Sequence, residues 1–394
     1  MYKKIVFAFG LCLLSVLASA QADDITRVLR EVEQNNKELQ AFSSLMESRK
    51  LALKSGNNLP DPQFGAYYLP FGDHNTGDYS EFQVTQSFEF PTVYSARKNL
   101  INKQQVQIEL EYDSRRQEVL LLAKKYCLEL VYLNKRIGVE QTRVEQAKKV
   151  FDQVQELLNK EQVGILEVNK AKVAWMQDQF KIEQVRNEIR NLLLLLQNLN
   201  GGIEVTFDKS DFLDDLILSP LDTVWKNKQL IDPFIKMLGQ TEEVALQELK
   251  LSKSKSLPSL TAGFNYQGVS GSNYSGLFGG VSIPLWSNKH KIEAAQASYS
   301  YQESSKKVQS EMLYTRLKKQ YNNYQNLLSQ FREYQNTLSD LNSDALLTKA
   351  YELGEISFTE YYMELQFYRQ AHDAMLDMEN QLNQLKSELL KHQL

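Results

Sequence analysis

The residues of this chain that are most able to do chemistry are scattered along its length. Four histidines stand far apart, with no cluster at metal-ligand spacing: His74, His290, His372 and His392. Cys12 lies in the apolar N-terminal run, which leaves Cys127 as the one cysteine of the mature chain and allows no internal disulfide. The sequence contains no Ser-His-Asp motif, phosphate loop or paired His/Cys site. We therefore predict a protein that is not an enzyme and has no catalytic, cofactor-binding or metal-binding residues.

Carboxylates are the remaining candidates, and they occur in two settings. Asp211, Asp214 and Asp215 form an acidic segment, which is either a solvated face or a calcium site, although it lacks the glycine that calcium loops use. Glu167 and Glu360 each follow a break in a long helical pattern. Carboxylates on solvated helices are poor acid-base catalysts because nothing desolvates them. The net charge of −4 also gives no general attraction to nucleic acid.

Long helices must position the two glutamates. From Thr92 to Lys160 the chain has no proline and one glycine, and its apolar residues alternate at three- and four-residue spacing, which predicts a coiled-coil helix. At about 1.5 Å per residue this helix would be roughly 100 Å long. After a break at residues 161–164, a return helix runs to Asn200. The pattern recurs after Pro284, with no further proline.

Segments with a two-residue period precede both long helices. Residues 60–90 predict a hairpin whose second strand ends at Pro91, a residue that fits the first turn of a helix. Residues 257–286 predict a second hairpin, with a Gly/Ser/Asn loop from Gly268 to Gly276 and a strand that passes directly into the next helix at Pro284. We therefore expect four strands in each chain.

Equal spacing indicates that the chain is an internal repeat. Pro91 and Pro284 are 193 residues apart, and so are Glu167 and Glu360. The distance from junction to turn is therefore the same in both copies, which predicts that both turns lie in one plane.

The predicted boundaries follow from these patterns. Residues 1–20, with a basic start, a short apolar run and Ala18-Ser19-Ala20, are typical of a secretory signal peptide. The first repeat covers residues 21–200 and opens with a helix from Asp24 to Ser55. Residues 201–231 are a connector with a candidate strand at 203–207, and the second repeat covers residues 232–394. The fold class is mainly α with β.

Strands of about ten residues are long enough to cross a bilayer when tilted, but only within a closed barrel, because unpaired backbone groups cannot face lipid. Four strands are too few to close one, so the chain must oligomerise. Two chains supply eight strands and a filled interior, whereas three supply twelve and leave a lumen. The alternative is a soluble sandwich with an ordinary coiled coil, because strands of this period also occur there.

Several segments together resemble the TolC family of outer-membrane efflux proteins over nearly the whole mature chain. They are Leu59-Pro60-Asp61-Pro62, Ser87-Phe88-Glu89-Phe90-Pro91, Val281-Ser282-Ile283-Pro284-Leu285-Trp286 and Tyr351-Glu352-Leu353-Gly354-Glu355-Ile356-Ser357. The resemblance implies a homotrimer with a twelve-stranded barrel in the Gram-negative outer membrane and a tunnel of twelve helices in the periplasm. It implies as partners outer-membrane lipid, a periplasmic adaptor (membrane fusion) protein and an inner-membrane efflux pump of the resistance-nodulation-division type, with no nucleic acid.

The resemblance also assigns roles to residues. Gly354, Glu355 and Ser357 match the periplasmic turn that contacts the adaptor, and Glu161 and Gly164 are their less regular counterparts in the first repeat. These five residues are the predicted adaptor-contact tips.

Two glutamates stand where relatives narrow the tunnel entrance. Glu360 occupies that place, with Glu364 one turn further on, and three copies of Glu360 would form a cation-attracting ring. A solvated helix glutamate is the alternative for each. Glu140, on the long helix away from the entrance, is expected to leave conductance unchanged when substituted.

The same resemblance bears on the two prolines and on the substrate. Pro91 and Pro284 would mark the change from barrel to helix. The Pro60-Asp61-Pro62 segment and the Phe-Pro-Thr junction are most similar to members that accompany heavy-metal exporters, so metal ions or other small molecules are the expected substrates. A non-channel coiled-coil spacer, periplasmic or secreted, is the competing function.

Overall fold

The structure is a computed structural model that describes residues 24–69, 79–212, 215–269, 271–341 and 343–394. The predicted signal peptide lies outside these ranges, and so do His74 and Asp214. The described residues form helices α1 (Asp24–Asn35) and α2 (Lys37–Ser55), strands β1 (Gln63–Leu69) and β2 (Tyr79–Phe88), helices α3 (Pro91–Asn159), α4 (Ile165–Leu199), α5 (Leu221–Ile231) and α6 (Pro233–Ser254), strands β3 (Ser259–Val269) and β4 (Ser272–Ser282), helices α7 (Lys291–Leu341), α8 (Ser343–Glu352) and α9 (Phe358–Leu389), and a 3₁₀ turn (Lys391–Gln393). The chain is therefore mainly helical with one sheet, as predicted.

The helix predicted from Asp24 to Ser55 is two helices that meet at Asn36. The buried Asn36 side chain donates from Nδ2 to the Leu199 carbonyl at 2.8 Å, and its Oδ1 accepts from the Leu39 N–H at 2.9 Å. Asn36 thus caps the start of α2 while it binds the end of α4. The apolar spacing continues through both helices, which is why the sequence pattern does not show the break.

The 69-residue helix α3 has Pro91 as its first residue, where a missing N–H removes no helical hydrogen bond. The direct passage from strand to helix predicted at Pro284 is wrong, because β4 ends at Ser282 and α7 begins at Lys291. His290 has a left-handed φ of 62°, and the Asn288 side chain donates to the Lys255 carbonyl at 2.8 Å. Because of these turn conformations, helix α7 begins at Lys291 and not at Pro284.

The connector also differs from the prediction. Residues 203–207 form no strand, because Val205 and Phe207 are buried against the helical core and no neighbouring strand pairs with them in the described residues. Helix α5 (Leu221–Ile231) lies in the segment predicted to be a connector, where no helix was predicted. Asp232 then caps α6, since its carboxylate accepts from the N–H groups of Phe234 and Ile235 at 2.9 and 3.3 Å.

The four strands form one antiparallel sheet in the order β1-β2-β3-β4. The predicted loop from Gly268 to Gly276 is wrong, because most of it is strand: Val269 pairs with Ser272, and Asn265 pairs with Gly276. Gly271 has a φ of 81°, a conformation that favours glycine and that permits a short connection. Glycine, serine and asparagine here belong to a sheet, although their composition is typical of a loop.

The described chain divides into two compact units. The first contains residues up to Gln40, Arg115–Lys228 and Thr315–Leu394, and the second contains Ala41–Ser114 and Gln229–Tyr314. The first unit holds the helical cores, and the second holds the sheet. Each unit therefore takes segments from both halves of the sequence. The sequence-based division at residues 21–200, 201–231 and 232–394 stays a prediction.

Candidate functional site

The turns that follow helices α3 and α8 have the same backbone geometry. At the end of α3, Glu161 has a φ of 56°, its N–H donates to the Leu158 carbonyl at 2.9 Å, and the Gln162 N–H donates to the Leu157 carbonyl at 2.9 Å. This pair of reversed hydrogen bonds around a left-handed residue is a Schellman motif. It satisfies helix carbonyls that would otherwise lack partners.

The turn after α8 repeats this arrangement. Gly354 has a φ of 74°, its N–H donates to the Tyr351 carbonyl at 3.0 Å, and the Glu355 N–H donates to the Ala350 carbonyl at 2.9 Å. Every donor and acceptor stands 193 residues after its counterpart at the end of α3. Glu161 is thus equivalent to Gly354 in backbone conformation, although its residue type departs from the pattern.

The return helices also begin alike, with one difference. Gly164 and Ser357 are the N-caps of α4 and α9, with φ and ψ of −88° and 161° and of −75° and 162°. Ser357 forms a capping box: its hydroxyl accepts from the Glu360 N–H at 3.3 Å, and Glu360 Oε2 accepts from the Ser357 N–H at 2.8 Å. Gly164 has no side chain to cap with.

The two turns line a common cavity of about 800 Å³, with the following residues among its walls: Leu157, Lys160, Gln162 and Val163 from the first turn, and Tyr351, Gly354, Ile356 and Ser357 from the second. Aromatic rings support the second turn, with centroids 5.0 Å apart for Tyr351 and Tyr361 and 6.0 Å apart for Phe358 and Tyr362. Burial raises the pKa of Tyr351. The predicted tip residues therefore belong to two adjacent turns, the second of which rests on packed aromatic side chains.

The two predicted entrance glutamates lie on one exposed face of α9. Glu360, Met363, Glu364 and Phe367 are all exposed and follow helical spacing. The hydrogen bond from the Ser357 backbone N–H, together with its hydroxyl, lowers the pKa of the Glu360 carboxyl. Glu360 therefore stays ionised at neutral pH, and the same carboxylate also holds the start of the helix.

A layer of buried ion pairs lies further along the same helices. Arg369 Nη1 and Asp178 Oδ2 are 2.9 Å apart, and the side chains are 5% and 1% exposed. Arg143 pairs with Glu140 at 2.9 Å and with Asp373 at 2.8 Å, and Glu140 is fully buried. Glu140, whose substitution is expected to leave conductance unchanged, is thus part of a buried ion-pair network, so its substitution would also disturb packing. Helical periodicity does not reveal these pairs, because their charges resemble those of a solvated face.

The predicted junction residues lie in the second unit. The segments around Pro91 and Pro284 line one cavity of about 500 Å³, whose walls include Phe90, Val93, Ile283, Pro284 and Trp286. Next to Pro91, Arg97 and Glu89 form a salt bridge of 2.5 Å. The structure thus brings the two junction segments together, although only the first leads directly into a helix.

The sheet has one largely apolar face and one more polar face. Following the register from strand to strand, one face carries Phe64, Phe82, Val84, Leu260, Phe264, Leu277 and Val281. The other face carries Glu81, Gln83, Thr85, Thr261, Asn265 and Gln267, together with Tyr67, Leu69, Tyr79, Val269, Tyr274 and Phe278. The apolar side chains of the first face are exposed, up to 79% for Phe64 and 93% for Leu277, whereas the polar side chains of β2 and β3 are partly buried.

Membrane-spanning helices and metal-binding groups are both absent from the described residues. None of their helices combines the length and the apolarity that a membrane crossing requires. The described part of the chain also contains no group of three or more His, Cys, Asp or Glu side chains placed to hold a metal ion.

Comparison with known proteins identifies the fold. No protein-family model matches the sequence, and no curated protein matches it significantly. The solved structure of CusC, described with its folding and transmembrane channel formation, is 12% identical, with a TM-score of 0.77 over 94% of this chain and 92% of that one. The outer-membrane channel OprN is 10% identical, with a TM-score of 0.77 over 94% and 89%. The outer-membrane protein VceC of Vibrio cholerae is 12% identical, with a TM-score of 0.74 over 93% and 95%. The chain therefore has the fold of TolC-family outer-membrane channels, and the resemblance found in the sequence is confirmed at the level of fold.

Proposed function

We propose that this protein is the outer-membrane channel of a tripartite efflux system. In this proposal it is a passive homotrimer that receives small molecules or metal ions from an inner-membrane pump and a periplasmic adaptor, and it catalyses no reaction. The proposed location is the Gram-negative outer membrane with an extension into the periplasm. The fold shared with outer-membrane channels supports this function.

The exposed apolar face of the sheet is the observation that carries the proposal. In a soluble sheet with one buried face, apolar side chains point to the core and polar ones to water. Here the exposure is reversed, as Phe64 and Leu277 illustrate. A lipid-facing barrel wall requires this pattern, with apolar residues outside and polar residues lining the interior.

The sheet edges support an oligomer. Within the described residues β1 pairs only with β2, and β4 pairs only with β3. Unpaired backbone groups are not tolerated in hydrocarbon, so β4 of one chain must pair with β1 of another. Because β1 and β4 run in opposite directions, that contact is antiparallel like the others. Three copies supply the twelve strands that leave an open lumen.

The helical turns are the proposed contact for the adaptor. Gly354, Glu355 and Ser357 form one turn, Glu161 and Gly164 belong to the other, and both turns line the same cavity. Their matching geometry at an interval of 193 residues supports the proposed twofold internal repeat. Glu360 and Glu364, exposed on α9, are the proposed narrowing of the entrance.

A matched pair of substitutions tests the proposal. Val84 and Gln83 are neighbours in β2 on opposite faces of the sheet. Val84→Lys would place a charge against lipid, which costs about 2–4 kcal/mol near the bilayer centre, whereas Gln83→Lys would face the lumen. We expect the wild type and Gln83→Lys to fractionate with the outer membrane as compact trimers that dissociate on heating and that conduct in a planar bilayer. Val84→Lys should lose these properties.

The same experiment addresses the alternative function. A periplasmic or secreted coiled-coil spacer would be recovered as soluble chains without conductance. It would also tolerate Val84→Lys, because this side chain is exposed in the single chain. Soluble, non-conducting wild-type protein would therefore overturn the channel proposal.

The substrate needs a separate test. The heavy-metal interpretation rests on the sequence resemblance alone. A deletion strain should lose tolerance to copper, zinc or cobalt if metal ions are exported. Normal metal tolerance combined with sensitivity to dyes or detergents would instead favour organic substrates.

A further inference from the structure

The four strands contain a single charged side chain, Glu81 of β2. The strand register places it on the polar face, directly opposite Gln267 of β3 and next to Gln83 and Asn265. The rest of that face is neutral. A lone carboxylate therefore determines the electrostatic character of this side of the sheet.

Polar neighbours fix the position of this carboxylate. Tyr79 donates its hydroxyl hydrogen bond to one carboxylate oxygen of Glu81 at 2.6 Å, and Asn265 Nδ2 donates to the other at 2.5 Å. Both donors are neutral groups. No lysine or arginine occurs in the four strands. The contacts thus hold the carboxylate in place without neutralising its negative charge.

We propose that Glu81 forms a cation-selective ring inside the barrel, separate from the ring of Glu360 proposed at the entrance. The inference rests on the proposed function, because three chains must close a barrel with the polar face inward. Three Glu81 carboxylates then project toward the lumen at one height. Glu81 is the third residue of β2, close to the end of the strand that leads to the hairpin loop, so this ring lies away from the junction at Pro91.

The ligands of this ring are hydrated cations. A twelve-stranded barrel leaves a lumen too wide for three carboxylates to coordinate one ion directly. The charges act instead through their field, which concentrates cations and repels anions. This field extends about 30 Å at 10 mM salt and about 3 Å at 1 M, so selectivity must fall as salt rises.

The direct test is the reversal potential of the purified trimer in a planar bilayer under a KCl gradient. Wild-type protein should prefer K⁺ over Cl⁻, and Glu81→Gln should lower this permeability ratio at least about threefold near 10 mM salt, with little difference at 1 M, both in the wild type and in a Glu360→Gln background that removes the entrance charge. Glutamine keeps one acceptor oxygen, and its NH₂ group can donate to the Tyr79 hydroxyl or to Asn265 Oδ1, so both neighbours can still bond to it. An unchanged ratio in a conducting Glu81→Gln trimer would overturn the inference.

A charge-relocation variant separates selectivity from structure. Because Glu81 and Gln267 are register partners, the double variant Glu81→Gln/Gln267→Glu moves the carboxylate across one strand pair at the same height. It should restore the wild-type ratio, whereas the neutral control Gln83→Asn should leave the ratio unchanged. If the double variant behaves like Glu81→Gln alone, the charge is not the cause of selectivity.

Two further outcomes are decisive. If Glu81→Gln does not assemble, Gln83→Lys replaces it in the measurement. A positive charge beside Glu81 should also reduce the preference for K⁺. An unchanged preference would refute the inference. Wild-type protein that conducts without preferring cations removes this inference but keeps the channel. Wild-type protein that never conducts removes both.

Discussion

Glu161 and Gly354 have the same left-handed backbone conformation, with φ of 56° and 74°, at positions 193 residues apart. Each lies two residues beyond the last residue of a helix, and both helix ends close with the same two reversed hydrogen bonds. Glycine adopts this conformation at little cost, whereas other residues lose about 1–2 kcal/mol there. The two turns therefore share a geometry but differ in strain.

Glu161→Gly should stabilise the first turn, and Gly354→Ala should destabilise the second. Each change is worth about 1 kcal/mol, or about fivefold in the local opening equilibrium. A Cβ atom added at Gly354 has no other atom within 4 Å, so the cost of Gly354→Ala comes from backbone strain and not from a clash. Hydrogen exchange of the turn amides in the assembled protein measures both effects. Shifts in the same direction for both variants would contradict this account.

Gly164→Ser should give α4 the capping box that α9 already has. The backbone at Gly164 matches that at Ser357, space for a side chain is free, and Glu167 occupies the position that Glu360 holds in α9. We expect the free energy of opening of the first turn of α4 to rise by a few tenths of a kcal/mol, measured as slower hydrogen exchange of its amides. Gly164→Ala, which lacks an acceptor, should show no gain.

Glu360→Gln should remove the charge of the proposed entrance ring but keep the helix cap, since glutamine also completes a capping box. It should weaken block by multivalent cations without widening the entrance, measured in single-channel records. Glu360→Ala should also weaken this block, and it should raise conductance because the shorter side chain widens the entrance, while loosening the start of α9. Glu145→Gln is a suitable control, because Glu145 is exposed on α3 and Glu140 is buried. An equal effect of the control would remove Glu360 from the entrance.

The start of α9 should lose protection in acid. Hydrogen bonds from Ser357 lower the pKa of Glu360 below its ordinary 4.5. A carboxylate whose pKa is lower in the folded state than in the unfolded state stabilises the fold. This stabilisation is complete above the pKa of the unfolded state and is lost as pH falls through the pKa of the folded state. Exchange at the first turn of α9, corrected for intrinsic rates, should therefore accelerate below about pH 4.5. In Glu360→Gln this pH dependence should be absent.

Arg369→Met should cost about 3 kcal/mol in the free energy of unfolding, because it leaves the buried Asp178 carboxylate with Lys181, 3.9 Å away, as its remaining ion-pair partner. The double variant Asp178→Leu/Arg369→Met should recover most of that loss. Arg186→Met, which breaks an exposed pair with Glu183, should cost less than about 1 kcal/mol. Denaturant unfolding of the purified protein compares them. A small effect of Arg369→Met would contradict this account and mean that Lys181 or water compensates the Asp178 charge.

Local patterns explain which features the sequence predicted. Periodicity and proline placement predicted α3, the return helices and both hairpins, because these depend on neighbouring residues. The break at Asn36 and the ion pair between Asp178 and Arg369 depend on partners more than 160 positions away. The capping box at Ser357 was recoverable from its Ser-x-x-Glu spacing. Glu161 was not, since backbone hydrogen bonds and not residue type define that turn.

The unpaired edges of β1 and β4 make the proposed barrel subject to mass action. A single chain exposes both a row of free backbone groups and an aromatic surface, features that promote aggregation in water. Barrel closure requires other copies, so the yield of channels depends steeply on the local concentration of chains. Below that concentration, newly exported chains need a holding factor or are degraded.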